Sequence, residues 1–511
     1  MAPTNPPPRA VKPPHGRTSK RVPRRGRPFP PGYTPSGLDP TDWRPLRALG
    51  HRMIDEMFDH LATLREQPVW QPMPAPLRAE LRAPLPRGPG DAAAAYHQFR
   101  RLVLPYATGN LHPGFMGWVH GGGTAVGMLA ELLAGGLNAN LGGRDHAPIE
   151  VERQVIAWAA EMLGFPAESV GVLVTGTSMA NLIGVLTARS ACLGPTVRRV
   201  GLNGTSLTAY ASSAVHGSVP RAMEIAGLGR DALRLIPCDP EGGIRLEALE
   251  RAVREDRRKD ATPFLVVASA GTVDIGAVDD LAALAAFCRT SGLWLHVDAA
   301  FGAIAMLTPR LRPLLQGIEL ADSVGFDFHK WGQVPYDAGC FLARAAGPVL
   351  DTFAGRGAYL RGDSRGLAGG GIWPCDLGPD LSRGFRALKV WLTLSVFGAD
   401  AIGRTVETCC ELACRLAARV DGEPELERLA PVALNIVCFR YRANTPRLNE
   451  LNAAIVADLH EAGIAAPSTT MLDGKLAIRA AIVNHRTQEA DVDRLADAVV
   501  AAGRQRSVIA A

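Results

Sequence analysis

No run in this chain comes near the 18 uninterrupted apolar residues of a membrane-crossing helix; the best candidate, 127–137, is short and carries Glu131. A membrane span is not expected. Paired cysteines are also missing. The nine cysteines (192, 238, 288, 340, 375, 409, 410, 414 and 438) are scattered, with no Cys-x-x-Cys. An odd number without ligand spacing points to reduced thiols, a cytoplasmic location and no metal centre. The 409–410–414 group has helical spacing and reads as packing. The first 36 residues lack acids: they hold eight Arg/Lys, eleven Pro and no Asp or Glu. With no apolar core they do not resemble a secretory signal. They are also too poor in apolar side chains to offset the entropy of ordering, so a disordered tail is expected over 1–36. Because that tail holds eight cations and the whole chain nets only +5, the rest nets three negative charges. The body gives no charge argument for binding nucleic acid.

What is present is an ordinary globular composition, 47% hydrophobic and 21% charged, spread over 511 residues. That length exceeds a single core and predicts subdomains. Leu46, Leu49, Met53, Met57 and Leu61 recur every three or four residues and predict an amphipathic helix. A Pro-rich strap over 67–89 leads to a second helix over 92–104, so 37–120 reads as a helical arm that packs on a partner subunit. Over 121–390 short apolar strands (171–175, 264–268, 293–298, 322–326) alternate with helices (149–163, 179–189, 280–289, 386–397). This predicts an α/β domain with a mostly parallel sheet covered on both faces. Residues 391–511 read as a small α+β domain, with strands over 432–441 and 476–483 and helices over 447–462 and 489–502.

Ligands in open α/β sheets bind at the carboxyl ends of the strands, and three motifs fall there. In Val174-Thr-Gly-Thr-Ser-Met-Ala-Asn181 a strand runs into a turn and a helix. The free N–H groups and positive dipole end of that helix suit a phosphate, with the Thr177 and Ser178 hydroxyls as further donors; both residues are also ordinary helix caps. In Leu293-Trp-Leu-His-Val-Asp-Ala-Ala300, Asp298 ends a buried strand, where an ionised carboxylate needs a cationic partner. A pyridinium nitrogen is one such partner; a structural ion pair is another. Lys330 follows the next strand, in Ser323-Val-Gly-Phe-Asp-Phe-His-Lys-Trp331. A lone lysine is most often a solvated charge, but one between His329 and Trp331 is expected to be desolvated, which favours the neutral nucleophile. Phosphate cup, strand-end acid and strand-following lysine match the three fixed points of pyridoxal 5′-phosphate (PLP).

His296-Val-Asp-Ala-Ala300, Ala321-Asp-Ser323 and His329-Lys-Trp331 together resemble the group II PLP-dependent amino-acid decarboxylases, the aromatic-L-amino-acid, histidine and glutamate decarboxylases of fold type I. The resemblance runs from about Asp39 to the C-terminus. It implies that Lys330 carries PLP as a Schiff base, with His329 beside it at the cofactor, and that Asp298 pairs with the pyridine nitrogen. It implies further that His216, in Ala214-Val-His-Gly-Ser218, stacks on the ring beside the substrate carboxylate, and that Thr177 and Ser178 hold the phosphate. Ser269 falls where the family has a Thr near the cofactor, and Ala300 packs beneath the ring. Asp327 departs from the pattern, since the aromatic-amino-acid decarboxylases carry Asn there, near the phosphate. An acid facing a phosphate is repulsive unless a donor intervenes.

PLP can labilise CO2, a proton or a side chain at Cα, so cofactor and fold leave the reaction open. Decarboxylation requires an acid that reprotonates Cα. Tyr359, 29 residues after Lys330 in a Gly-rich stretch over 351–373, lies at the position of the family's mobile-loop tyrosine; relatives that make aldehydes carry Phe there. The expected activity is thus decarboxylation of an L-amino acid, aromatic or related, to amine and CO2. An aminotransferase or aldehyde synthase is the alternative, and a non-catalytic homologue a third reading. Arg479 could clamp a carboxylate as transaminase arginines do, but the resemblance places an Arg there in decarboxylases too. For the substrate, Asn110-Leu-His-Pro-Gly-Phe-Met-Gly-Trp-Val-His120 matches the family's pocket strap, with Val119 and His120 replacing an aromatic-Pro pair. Trp118 suits a flat side chain, while His120 could equally take an acidic one. Ser382 occupies a position where relatives tell ring types apart. Enzymes of this fold build their sites at subunit interfaces, so a homodimer is expected, with the arm and the 351–373 loop crossing between subunits.

Overall fold

A computed structural model describes residues 37–355 and 362–510. Of the described residues, those up to Met53 belong to one compact unit and those from Ile54 onward to another. The expected tail and Tyr359 lie outside the described residues. The first unit contributes the opening turns of the helix Trp43–Ala62. Everything below belongs to the second.

In chain order the strands are β1 (Phe115–Met116), β2 (Val170–Val174), β3 (Leu207–Ser212), β4 (Leu233–Ile236), β5 (Thr262–Ser269), β6 (Trp294–Asp298), β7 (Ser323–Asp327), β8 (Gly339–Ala343), β9 (Leu426–Arg428), β10 (Ile436–Tyr441), β11 (Ala466–Leu472) and β12 (Lys475–Ala481). Seven of them form the large sheet, ordered β2-β8-β7-β6-β5-β3-β4. All run parallel except β8, which is antiparallel to both its neighbours β2 and β7. β3, β7 and β8 are buried at every position, as apolar strands covered on both faces must be. This is the expected α/β architecture with a mostly parallel sheet. The four strands expected in this region all occur, each within two residues of its expected ends. β3, β4 and β8 were not anticipated; β4 and β8 are only four and five residues long, β8 is apolar without alternation, and periodicity cannot separate such short runs from buried helix.

The second sheet, β1-β11-β12-β10-β9, gathers the C-terminal strands. Its outermost strand comes from far upstream: β1 pairs parallel with β11, Phe115 opposite Ala466 and Met116 opposite Pro467. The end of the 37–120 segment is thus stitched to the C-terminal region, which holds the following residues, 118–120, in a fixed place. Among the described residues no helix is long and apolar enough to cross a membrane.

Candidate active site

The carboxyl ends of β2, β5, β6 and β7 share one edge of the large sheet and open into a cavity of about 470 Å3. Lys330, His329, Asp298, Thr177, Ser178, Ser269, Ala300, His216, Trp118, Val119 and His120 all line it. Sequence spacing alone could not have brought 118–120 and 216 here. Ser382 does not join them. It is exposed on a bend, while its neighbour Arg383 turns inward to Glu152 (Nη1 to Oε2, 3.0 Å) and to the Leu141 carbonyl (3.0 Å); burying that guanidinium turns the adjacent side chain to solvent.

The helix Thr177–Leu193 starts directly after Gly176, two residues before the expected position. β8 crosses close behind the turn: a Cβ on Gly339 would lie 2.4 Å from the Gly176 Cα, so only glycine fits there. Of the first two N–H groups of the helix, that of Thr177 is taken by Asp327 Oδ1 (2.7 Å); that of Ser178 has no partner within the helix, and Ser178 lines the cavity. The Thr177 hydroxyl is buried without a hydrogen-bond partner among the described residues, which leaves it a donor for a ligand oxygen.

Asp298, 5% exposed, ends β6. Its oxygens accept from Asn181 Nδ2 (2.8 Å) and from the Ala300 N–H (3.2 Å). Both donors are neutral, so among the described residues this carboxylate has no cation. A pyridinium would supply one.

Lys330 departs from expectation. It is not a bare, desolvated amine: Nζ lies 3.0 Å from Asp327 Oδ2 in an ion pair. Asp327 is therefore the junction of the site, with Thr177 N–H on one oxygen and Lys330 on the other. His329 stands near it as well, with Nε2 3.7 Å from Oδ2. The His329 Nδ1 accepts the Ala338 N–H (3.0 Å), so the ring proton sits on Nε2 and points toward Asp327. Burial lowers the pKa of His329 and keeps the ring neutral.

The mouth of the cavity is a wall of rings. His120 stacks on Trp118 (centroids 5.6 Å apart) and on Phe115 (5.6 Å). Tyr336 meets His120 edge-on (5.8 Å) and lies against His329 (4.2 Å). The pKa of His120 is lowered, chiefly by burial and then by Lys330. Tyr336 was not anticipated, because the β7–β8 connection that carries it has no periodicity to read. Asn181 was quoted only as the end of the cup motif; nothing in a single sequence marks that it reaches Asp298. Arg479 is mostly committed to the protein, and only its buried Nη2 is without a hydrogen-bond partner among the described residues. Its Nε donates to the carbonyls of Val273 (2.8 Å) and Asp274 (3.2 Å), and its Nη1 to the Trp118 carbonyl (2.8 Å) and Ser468 Oγ (3.1 Å). It braces two stretches of the cavity wall.

An orphan hydroxyl and a free N–H at a helix start, an uncompensated strand-end carboxylate and an amine across from it fit PLP. Fold and site together define a fold type I PLP enzyme. The pyridoxal-dependent decarboxylase conserved domain matches residues 74–442. The chain is 36% identical over 451 residues to an aromatic-L-amino-acid decarboxylase of Bacillus atrophaeus, covering 86% of this chain and 92% of that protein. It is 29% identical over 471 residues to a phenylacetaldehyde synthase of Arabidopsis thaliana, covering 89% and 95%. It also superposes on the crystal structure of Oryza sativa TDC with PLP and tryptamine, with a TM-score of 0.84, 25% identity and coverage of 92% and 100%. The chain belongs to the pyridoxal-dependent decarboxylase family. It is a PLP-dependent carboxy-lyase that acts on an amino acid.

Proposed function

We propose that the substrate is a neutral aromatic L-amino acid, released as its amine. The observation that carries this reading is the ring wall of Trp118, His120 and Tyr336 at the cavity mouth. Flat rings 4.5–7 Å apart favour another flat ring by offset or edge-on contact. His120 adds no charge near neutral pH, because burial and Lys330 both oppose its protonation, so an acidic side chain finds no counter-ion in it.

PLP, when bound, supplies the electron sink for the charge left at Cα as CO2 departs. In the proposed division of labour Lys330 is the attachment point and Asp298 holds the ring nitrogen protonated. Thr177 and Ser178 would hold the phosphate, Ser269 and Ala300 would line the floor of the site, and His216 would face the ring and the substrate carboxylate. Tyr359 delivers the proton to Cα. The partner that completes the site is proposed to be a second copy of this chain, in the cytoplasm. In support, Leu129, Leu132, Leu133 and Leu137 of the helix Ala125–Leu137 are exposed, as are Val396 and Phe397 on the adjoining helix Arg386–Phe397. A monomer rarely leaves so continuous an apolar face uncovered.

The test is a screen of L-amino acids with PLP-loaded protein, measuring CO2 and amine together. Aromatic substrates are expected to give the highest kcat/KM, with equal CO2 and amine, and the absorbance near 420 nm is expected to vanish in Lys330→Ala. Turnover of acidic amino acids alone would overturn the substrate assignment. Tyr359→Phe is expected to trade amine for aldehyde and peroxide, with O2 as oxidant; an unchanged amine yield removes Tyr359 from its role.

A further inference from the structure

Behind the cavity, a single file of hydrogen bonds runs from β6 to His216, and chemistry decides the direction of each. Trp294 Nε1, which can only donate, gives its proton to Ser323 Oγ (2.8 Å). Ser323 Oγ lies 2.8 Å from His296 Nδ1, and His296 Nε2 lies 2.9 Å from Asn181 Oδ1. His296 is completely buried, which pushes its pKa down to about 3, so the ring is neutral and carries one proton. An amide oxygen only accepts, so that proton is on Nε2, and Ser323 donates to Nδ1. The Asn181 amide cannot be turned round, since its oxygen would then face the Asp298 carboxylate that Nδ2 contacts at 2.8 Å. The same Nδ2 donates its second hydrogen to Ser218 Oγ (2.9 Å). The Ser218 hydroxyl is then directed to His216 Nδ1 (2.8 Å), which also accepts the Ser218 backbone N–H (3.2 Å). Every bond points the same way, an arrangement in which each donor strengthens the next. Room for it is built in: a Cβ on Gly184 would sit 2.7 Å from His296 Nδ1.

We propose that Asn181, acting with Ser218 and His296, is a positioning residue that keeps the proton of His216 on Nε2, turned toward the cavity, and ties it through one side chain to the Asp298 carboxylate. None of the three touches the reacting atoms; they act through His216 and Asp298. The functional meaning rests on the reading above, in which His216 lies beside the substrate carboxylate: the site then offers that group a fixed N–H donor. His216 and Asp298, which both line the cavity, become coupled, since both depend on the two hydrogens of one amide.

The test is nitrogen NMR of the PLP-loaded full chain labelled in its histidine rings, with His216→Gln to assign the signal. It reads the proton position whatever reaction the enzyme performs. In the wild type His216 is expected to show a protonated Nε2 and a bare Nδ1. Asn181→Asp turns donors into acceptors and draws the Ser218 hydroxyl away, and Ser218→Ala removes that hydroxyl; in both, a second tautomer is expected to appear. Ser218→Thr, which restores the hydroxyl, is expected to return the single wild-type signal. In turnover, Ser218→Ala is expected to lose about tenfold in kcat, the worth of about one hydrogen bond, with KM changed less than about twofold. A proton on Nδ1 in the wild type overturns the proposal. So does a wild-type signal in both Asn181→Asp and Ser218→Ala, which would assign the tautomer to the Ser218 backbone N–H alone.

Discussion

Asp327 stands where the resembling decarboxylases carry Asn, and two unit charges ~5 Å apart repel by about 3 kcal/mol at an effective dielectric of ~20. Donors do intervene here, as the Thr177 N–H and the Lys330 ammonium divide the two carboxylate oxygens between them. Both lose part of that duty when a phosphate arrives at the helix start and Lys330 is committed to the cofactor. Asp327→Asn keeps an acceptor for the Thr177 N–H and removes the negative charge. It is therefore expected to bind PLP about tenfold more tightly, a fraction of the full repulsion because solvent and the helix dipole already screen it. Titration of the apoprotein with PLP, followed near 420 nm, measures this. The matching titration with pyridoxal, which lacks the phosphate, is expected to show no such gain. Equal or weaker PLP binding by the variant would remove the repulsion argument.

At the scale of elements, Arg383 shows how a buried pair locks distant segments. Its guanidinium meets Glu152 on the helix Ala147–Leu163 and the Leu141 carbonyl, and Glu152 Oε1 accepts the Leu173 N–H of β2 (3.0 Å). Glu152→Gln strands a cation in the interior and is expected to cost about 3 kcal/mol of unfolding free energy, read from urea midpoints. Replacing both partners with Leu is expected to cost less than either single change, because no unpaired charge remains. Two histidines predict the response to acid. His296 in β6 is held down to about 3 by burial, and His485 to about 4 by burial and then by Arg486. Each stays neutral in the fold, whereas the unfolded chain takes up protons below about 6.5. Their contribution is whole above that value and drains away as the pH falls toward 4 and then 3. Unfolding midpoints are expected to fall between pH 7 and pH 5, and His296→Gln to flatten that slope by one proton's share. A slope unchanged in the variant would count against a neutral His296.

For the whole molecule the exposed leucines of Ala125–Leu137 make the strongest demand. Leu132 and Leu133 are each 54% exposed, and ~25 cal/mol per Å2 of apolar surface favours covering such a face. Leu132→Asp combined with Leu133→Asp is expected to turn a dimer into monomers in sedimentation and to abolish turnover. A wild type that sediments as an active monomer would contradict the proposed partner.

Much of this protein was legible in one dimension. Lys330, Asp298 and Thr177 each lie at or just past the end of a strand, and strand ends in a parallel sheet meet at one edge, so order along the chain already implied a shared site. The helix Arg386–Phe397 and the central strands were readable because apolar periodicity is a local property. Other features depended on groups far apart in the chain. Asp327 accepts the Thr177 N–H from 150 positions upstream only because β7 lies beside the start of the helix Thr177–Leu193. Ser382 left the site because Arg383 took the inward direction. Trp118 and His120 reached the cavity because β1 pairs with β11, some 350 positions later. The amino-acid sequence by itself determined the cofactor chemistry and the sheet that presents it, since both follow from residue type and short-range pattern. The tertiary structure alone decided which hydrogen each donor gives and to whom, because hydrogen bonding depends on distance and direction between side chains that the chain order leaves free.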